Sequence, residues 1–559
     1  MTTYTLLLIL AQAPPQAPDF TGLWEAALRF GPDIRGTAIV YRASEGWRAD
    51  FAGFQVPAQV SAQAVTFELP DGKGVFRGQR VGQGVIGHWF SGRTASYATL
   101  EPFGTNRWRG TITPMENRFT FYMPIARKPD GTLATYLRNP ERNQGRFIRA
   151  SRIEIKGEDV RLVGTGGRPD STLSIGRYYD DGVIRLPLRG GTYDFTKVTD
   201  SSTHPFFPRG YPAPRYRYTL PLQLDDGWPV APPESVGISR DAIERFVQLL
   251  LDMPMDSLSS TQMHSLLIAR HGKLVVEEYF HGTTRDQPHD LRSASKSWVA
   301  ILIGAAMQAG IPISTETPVY EIMLGQGVRS DPRKRAMTLE HLLTMTAGFN
   351  CDPDDSTSAD EDQMDNRGVE DNWSYTMEVP LISAPGEKIY YCSMEPNLAV
   401  GILAKIARTD LSELSERLLQ RPLQQRNYHI GLNPNGQPYG GGGFRFTTRD
   451  FAKWAQLMVN NGRWNGKQLV SAEWVRRSTA ALRDLSAVQQ YGYLWNSVEY
   501  PYQNRKVRAF FAGGNGGQIS MGIPELDLVI AFTGGNYADP ALFRPQRQFV
   551  PLYILPAVK

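Results

Sequence analysis

Ser293-Ala294-Ser295-Lys296 sets a hydroxyl and an amine three residues apart, at the start of a stretch that reads as a buried helix. Side chains at that spacing share a helical face, so Lys296 can reach the Ser293 hydroxyl. An amine in apolar surroundings can take the proton of a neighbouring serine, which activates a nucleophile without histidine. Ser293 also sits near the helix start, whose positive end favours oxyanion charge. About one S-x-x-K is expected by chance in a chain of this composition. The bland alternative is a solvated first turn, so the surrounding residues must carry the assignment.

A hydrolytic cycle also needs a group that returns a proton to the leaving atom. Tyr391, in Tyr391-Cys392-Ser393, is the candidate; it follows the turn Ala384-Pro385-Gly386-Glu387. The plain alternative is a half-buried structural tyrosine. A third element is Gly513-Gly514-Asn515-Gly516-Gly517-Gln518. Glycines there permit close backbone approach to a ligand and could offer an N–H to an oxyanion. The alternative is a glycine-rich turn. A dinucleotide fingerprint would have to open a helix, whereas this run leads into a strand.

The 559-residue length suggests more than one domain. At 41% hydrophobic and 21% charged the composition is that of an ordinary globular protein. A net charge of +4 without a basic run gives no ground for nucleic-acid binding. No apolar run approaches the ~18 residues of a membrane span. The eight histidines and two cysteines show no metal-ligand spacing, so neither a metal nor another cofactor is expected. Leu6 to Leu10 is apolar and Ala11-Gln12-Ala13 fits a cleavage site, although a basic leader is missing. Residues 1–18 are therefore expected to be the remnant of a secretory signal, and the protein to be secreted or periplasmic. In that setting Cys351 and Cys392 are a disulfide candidate; in the cytoplasm they would be two buried thiols.

Residues 19–199 carry alternating runs, such as Arg107 to Thr113, Arg152 to Lys156 and Tyr193 to Val198, separated by Pro-Asp-Gly turns. They predict an all-β barrel or sandwich domain. Residues 200–225 read as a linker. From 226 to 559 the pattern changes. Ser239 opens a helix, and Leu266 to Ile268 and Leu274 to Val276 form a hairpin around His271-Gly272. The Ser293 helix turns Trp298, Ile301, Leu302, Ala305 and Ala306 inward, and another helix begins at Thr338. Gly517 to Ile523 and Leu528 to Thr533 flank a tight turn, and a last helix covers about Ala541 to Leu555. The prediction is α/β, an antiparallel sheet flanked by helices with a helical subdomain.

Taken together, the site residues resemble the serine β-lactamase/penicillin-binding protein family, in its esterase and class C-like branch. The motif order matches: Ser293–Lys296, then Tyr391–Ser393, then Asn515–Gly517. His341 to Gly348, Gly441 to Arg445 with Thr448-Arg449-Asp450, and Trp464 to Gln468 are similar to further family segments. The resemblance covers 226 to the C-terminus. It implies a serine hydrolase cleaving carboxylic esters or amides through an acyl-enzyme, with a small molecule as substrate. Ser293 would attack, Lys296 and Tyr391 would move protons, and the N–H groups of Ser293 and Gln518 would hold the oxyanion. Ser393, Asn515, Gly516 and Gly517 would line the substrate. Asn515 stands where lactamases and peptidases of the family carry a lysine, and Ser393 where class C-like lactamases carry asparagine. Both departures weaken the alternative of a β-lactamase or D-Ala-D-Ala carboxypeptidase. A catalytically inactive binding protein on the same scaffold is a further alternative. Tyr502-Gln503-Asn504 competes with Tyr391 but lies too close to Asn515 for the family layout. A Cys351–Cys392 disulfide is expected to pin the Tyr391 loop. The acidic run Asp352, Asp354, Asp355, Asp360, Glu361 and Asp362 lacks an EF-hand pattern and is expected to be a solvated loop over the cleft rim.

Overall fold

The computed structural model describes residues 18–165, 170–324 and 331–559. Most of the expected signal remnant, residues 1–17, lies outside the described residues. The chain divides into two compact units. One holds the chain up to Leu28, Thr120–Asn139 and Gln144–Thr199; the other holds Arg29–Phe119, Pro140–Asn143 and Asp200–Lys559.

The first unit is built on a closed eight-stranded barrel that runs from Gly22–Phe30 and Asn117–Arg127 to Gly191–Lys197. Alternation fills it: Ile184 and Leu186 face inward from Val183–Leu188, and Tyr193 and Phe195 from the next strand.

The second unit opens with eight more antiparallel strands between Gly36 and Ile112. Arg107–Ile112 bonds to both Gly36–Ala43 and Thr94–Pro102, which closes these strands into a ring as well. Phe51, Phe67, Phe76 and Trp89 pack inside it. The all-β barrel character expected for 19–199 is present, but as two closed strand systems rather than one. The strands of Arg29–Phe119 belong with the C-terminal part. Thr94–Pro102 pairs onward with His429–Gly431, so one sheet runs from the ring into that part. A period-2 pattern tells which face a residue occupies, not which strand it pairs with.

The C-terminal part is a sheet of eight strands. Next to one edge Met263–Arg270 lies between the edge strand Lys273–Tyr279 and Leu528–Gly534, and Gln518–Ile523 and Arg505–Gly514 follow. Every residue of Met263–Arg270 is buried, as its continuous apolar run requires. Arg240–Leu251 is capped by Ser239, whose hydroxyl accepts from Ala242 N. Lys296–Gln308 and Met394–Ala407 are buried through most of their length and share one core. Pro540–Phe543, Pro545–Ile554 and Leu555–Ala557 replace the single C-terminal helix with 3₁₀ and wide π-type turns. Pro551 lies inside and lacks the N–H an α-helix would use. The expected linker at 200–225 is a packed strap. Tyr216 is buried, its hydroxyl donates to Glu278, and Tyr218 Oη donates to Val275 O at 2.8 Å.

Candidate active site

Ser293 does not lie in an α-helix. It sits on a 3₁₀ turn, Arg292–Ser295, and Lys296 is the first residue of the α-helix that follows. In 3₁₀ geometry side chains three apart eclipse each other. Lys296 Nζ therefore lies 3.1 Å from Ser293 Oγ. Arg292 enters the turn at φ +50°, a left-handed conformation uncommon for a non-glycine residue. Leu291 N donates to Phe444 O, and Phe444 N donates to Ser295 Oγ at 3.2 Å, which fixes the turn further.

Lys296 is only 1% exposed, and among the described residues no carboxylate forms an ion pair with it. Its second partner is the carbonyl of Gly441. A Cβ on Gly441 would meet Tyr439 Oη at 2.3 Å and Ser393 O at 2.9 Å, so glycine is what lets this carbonyl approach the amine. The Tyr391 ring lies 5.0 Å from Lys296 Nζ. Tyr391 is 43% exposed. Tyr502 is elsewhere: its buried hydroxyl donates to Val558 O at 3.3 Å, so the competing motif is structural. Cys351 and Cys392 are bonded to each other, with Cα atoms 5.6 Å apart, and hold the residue after Tyr391. Ser393 is the residue before the helix Met394–Ala407, and its side chain caps nothing.

The glycine run is the turn between Arg505–Gly514 and Gln518–Ile523. Gly514 packs against the turn Arg292–Ser295 so closely that a Cβ there would sit 2.2 Å from Leu291 O and 3.0 Å from Ala294 N. Gly516 and Gly517 take φ of +97° and +94°. Asn515 lines the cleft with Ser293. Its side-chain oxygen accepts from Ala538 N at 2.9 Å. Gln518 was expected to face the oxyanion, and the structure does not put it there. Gln518 is fully buried and pairs with Gly514 across the hairpin; its amide donates to Gly534 O at 2.7 Å and accepts from Gly534 N at 3.1 Å. Three turn residues separate Gly514 from Gln518, which carries Gln518 to the next strand. Among the described residues Asn515 N has no acceptor, and Asn515 is the residue of the run beside Ser293.

The cleft has a volume of about 370 Å³ and is lined by four arginines, Arg93, Arg142, Arg292 and Arg445, and four carboxylates, Asp290, Glu361, Asp362 and Asp365. Asp290 lies 3.3 Å from Arg292 Nε and 3.5 Å from Arg142 Nη1, and pairs across strands with Arg445. Burial alone would raise the Asp290 carboxyl, but the three guanidinium groups hold it below the usual range. Asp365 lies 3.5 Å from Arg93 Nη1. Burial, and then the neighbouring Glu361, Asp360 and Asp365, push Asp362 up. The acidic run is thus only partly a solvated loop: Asp360 caps the helix Glu361–Asn366, and that helix lines the cleft. Among the described residues no cluster of side chains could hold a metal ion.

Sequence reasoning missed the Gly441 carbonyl, Asp290, Arg142 and Arg445. Arg292 and Asp290 lie within three residues of Ser293 and could have been flagged. Arg142 lies about 150 positions upstream, and nothing local marks it.

A profile of the Beta-lactamase family matches residues 256–542, slightly more than half of the chain. The chain belongs to the Beta-lactamase family. This family consists mostly of hydrolases, and its profile spans Ser293, Lys296, Tyr391 and the glycine hairpin. Among its relatives is the 6-aminohexanoate-dimer hydrolase of Paenarthrobacter ureafaciens, 25% identical over 39% of this chain and 57% of that protein. The chain thus spans little more than half the length of that relative. An uncharacterised protein of Alkalihalophilus pseudofirmus is 21% identical over 50% of this chain and 85% of its own length. Among solved structures, a penicillin-binding protein homologue from Caulobacter crescentus is 16% identical, with a TM-score of 0.42 over 56% of this chain and 96% of that one.

Proposed function

We propose that this Beta-lactamase family member is a serine hydrolase that cleaves carboxylic esters or amides through an acyl-enzyme. The observation that carries this reading is the contact between Lys296 Nζ and Ser293 Oγ at a buried site, with Gly441 O as the amine's other partner. Gly441 O takes one N–H of the amine and so aims Nζ at Ser293 Oγ. Ser293 Oγ then bonds to the carbonyl carbon while its proton passes to Lys296. The carbonyl oxygen becomes an oxyanion between the N–H groups of Ser293 and Asn515. As the C–O or C–N bond breaks, the proton returns to the leaving atom by way of Tyr391. Water repeats the sequence on the acyl-enzyme and releases the acid.

Asn515 argues against β-lactams and peptidoglycan stems as preferred substrates, because the amide brings no positive charge and its oxygen is held by Ala538. The name of the Paenarthrobacter relative favours amides among the candidates. The buried Cys351–Cys392 bond supports an oxidising compartment, secreted or periplasmic.

Intact-protein mass spectrometry after exposure to a library of esters and amides tests the reading. An acyl adduct on the wild type that disappears in Ser293→Ala is expected. An unmodified wild type that also resists fluorophosphonate labelling would favour an inactive binding protein.

A further inference from the structure

We propose that Tyr439 is a positioning residue for the Ser293–Lys296 pair: Glu361 holds its hydroxyl against Gly441, and Gly441 O in turn holds Lys296 Nζ on Ser293 Oγ. This rests on the acyl-enzyme reading above. Gly441 O accepts from Lys296 Nζ, yet among the described residues Gly441 N donates to nothing. The residues before it are pinned instead. Asn397 and Asn433, both buried, exchange side-chain amide hydrogen bonds at 3.0 and 2.8 Å. Asn397 Oδ1 also accepts from Gly440 N at 3.2 Å, and Asn433 Nδ2 donates to Pro438 O at 2.9 Å. Tyr439 N donates to Gly431 O at 2.8 Å. The backbone is therefore fixed up to Gly440, and Gly441 is the first residue beyond these bonds.

The Tyr439 phenol supplies the missing restraint. A Cβ on Gly441 would lie 2.3 Å from Tyr439 Oη and 2.5 Å from Tyr439 Cζ, so the hydroxyl end of the ring rests directly on Gly441. That hydroxyl donates to Glu361 Oε2. Burial, followed by the Glu361 charge, pushes the Tyr439 phenol well above its ordinary range, so it stays protonated and keeps donating. A hydrogen bond to a carboxylate is about twice as strong as one between neutral groups. The acceptor is itself held: Glu361 opens the helix Glu361–Asn366, whose cap Asp360 accepts from Asp362 N and Gln363 N at 3.0 and 3.2 Å. Glu361, Tyr439, Gly441 and Ser293 all line the one cleft. Without the hydroxyl the ring loses its tether, Gly441 gains room, and Nζ can leave Ser293 Oγ. A misplacement of about 1 Å in such a pair can cost about a hundredfold in rate.

The test measures labelling of Ser293 by a fluorophosphonate probe. In Tyr439→Phe the maximal labelling rate should fall about ten- to a hundredfold, while the probe concentration that gives half of it stays at the wild-type value. Glu361→Ala should match that loss. Glu361→Gln, which keeps an acceptor oxygen for the hydroxyl, should recover most of it; circular dichroism checks that each variant folds. Because Tyr439 acts through the amine, adding Tyr439→Phe to Lys296→Ala should cost nothing further, whereas a general packing defect would lower both backgrounds alike. A wild-type rate in Tyr439→Phe, equal losses in the two backgrounds, or Glu361→Gln as impaired as Glu361→Ala would overturn the positioning role. Crystal structures separate that role from the acyl-enzyme reading. In Tyr439→Phe, Gly441 O should move off Lys296 Nζ, and Nζ off Ser293 Oγ; an arrangement identical to the wild type's refutes the proposal whether or not Ser293 reacts. A wild type that resists labelling, with a Tyr439→Phe structure displaced in this way, removes the acyl-enzyme reading alone.

Discussion

Ser96 Oγ lies 2.9 Å from His429 Nδ1, across the seam where Thr94–Pro102 pairs with His429–Gly431. Beside it, His88 Nε2 meets Tyr428 Oη at 3.0 Å. Both histidines are buried, and burial pushes His88 down to about 4 and His429 to about 3. Neutral imidazole is therefore what the fold accepts. Above pH ~6.5 neither folded nor unfolded chain protonates them, and stability is unaffected. Between that value and about 4 the unfolded chain takes up protons that the fold refuses, so stability falls with pH, by about 1.4 kcal/mol per unit for each histidine. Thermal melts from pH 7 to 4 should show this decline, and His429→Asn should lessen its slope by the share of one histidine. A wild-type Tm constant over the range would refute the assignment.

Lys296→Ala should keep the fold and lose about 10²–10⁴ in kcat, the usual worth of a positioned base. Tyr391→Phe should lower kcat with little change in KM, because the ring beside Lys296 remains. Steady-state hydrolysis of a chromogenic ester checks both; wild-type turnover in Tyr391→Phe would assign the returning proton to water.

Gly514→Ala tests the packing of the hairpin against the turn Arg292–Ser295. The added methyl would lie 2.2 Å from Leu291 O, a backbone atom that cannot rotate away. The turn must shift, at a cost of about 1–3 kcal/mol in stability. Activity should fall further than stability explains, because Ser293 and Asn515 move apart. Urea melts and kcat measured on the same preparation separate the two effects.

The disulfide spans a sequence separation of 41 residues. Thiol titration under denaturing, non-reducing conditions should find no free thiol. Cys392→Ser with Cys351→Ser should destabilise by about 3–4 kcal/mol in the chain-entropy picture. Two titratable thiols in the wild type would contradict the bond.

The contact between Ser293 and Lys296 was legible locally, because spacing alone brings residues three apart together. So were the hairpin Met263–Arg270 with Lys273–Tyr279, from its apolar runs, and the Ser239 cap. The hairpin position of Gln518 was not: a run of glycines shows that the backbone turns, and only strand register shows which residue faces the cleft. Nor was the packed strap at 200–225, whose tyrosines find buried partners far along the chain.

Two features belong to the tertiary structure alone. Closure of Gly36–Ile112 into its own ring depends on Arg107–Ile112 bonding to two strands at once. The charged cluster in the cleft depends on Arg142, Asp290 and Arg445 meeting from three separate segments. Local sequence determines conformations and neighbours within a few residues. Pairings between distant segments are settled by shared burial and charge, which act only once the chain has closed on itself.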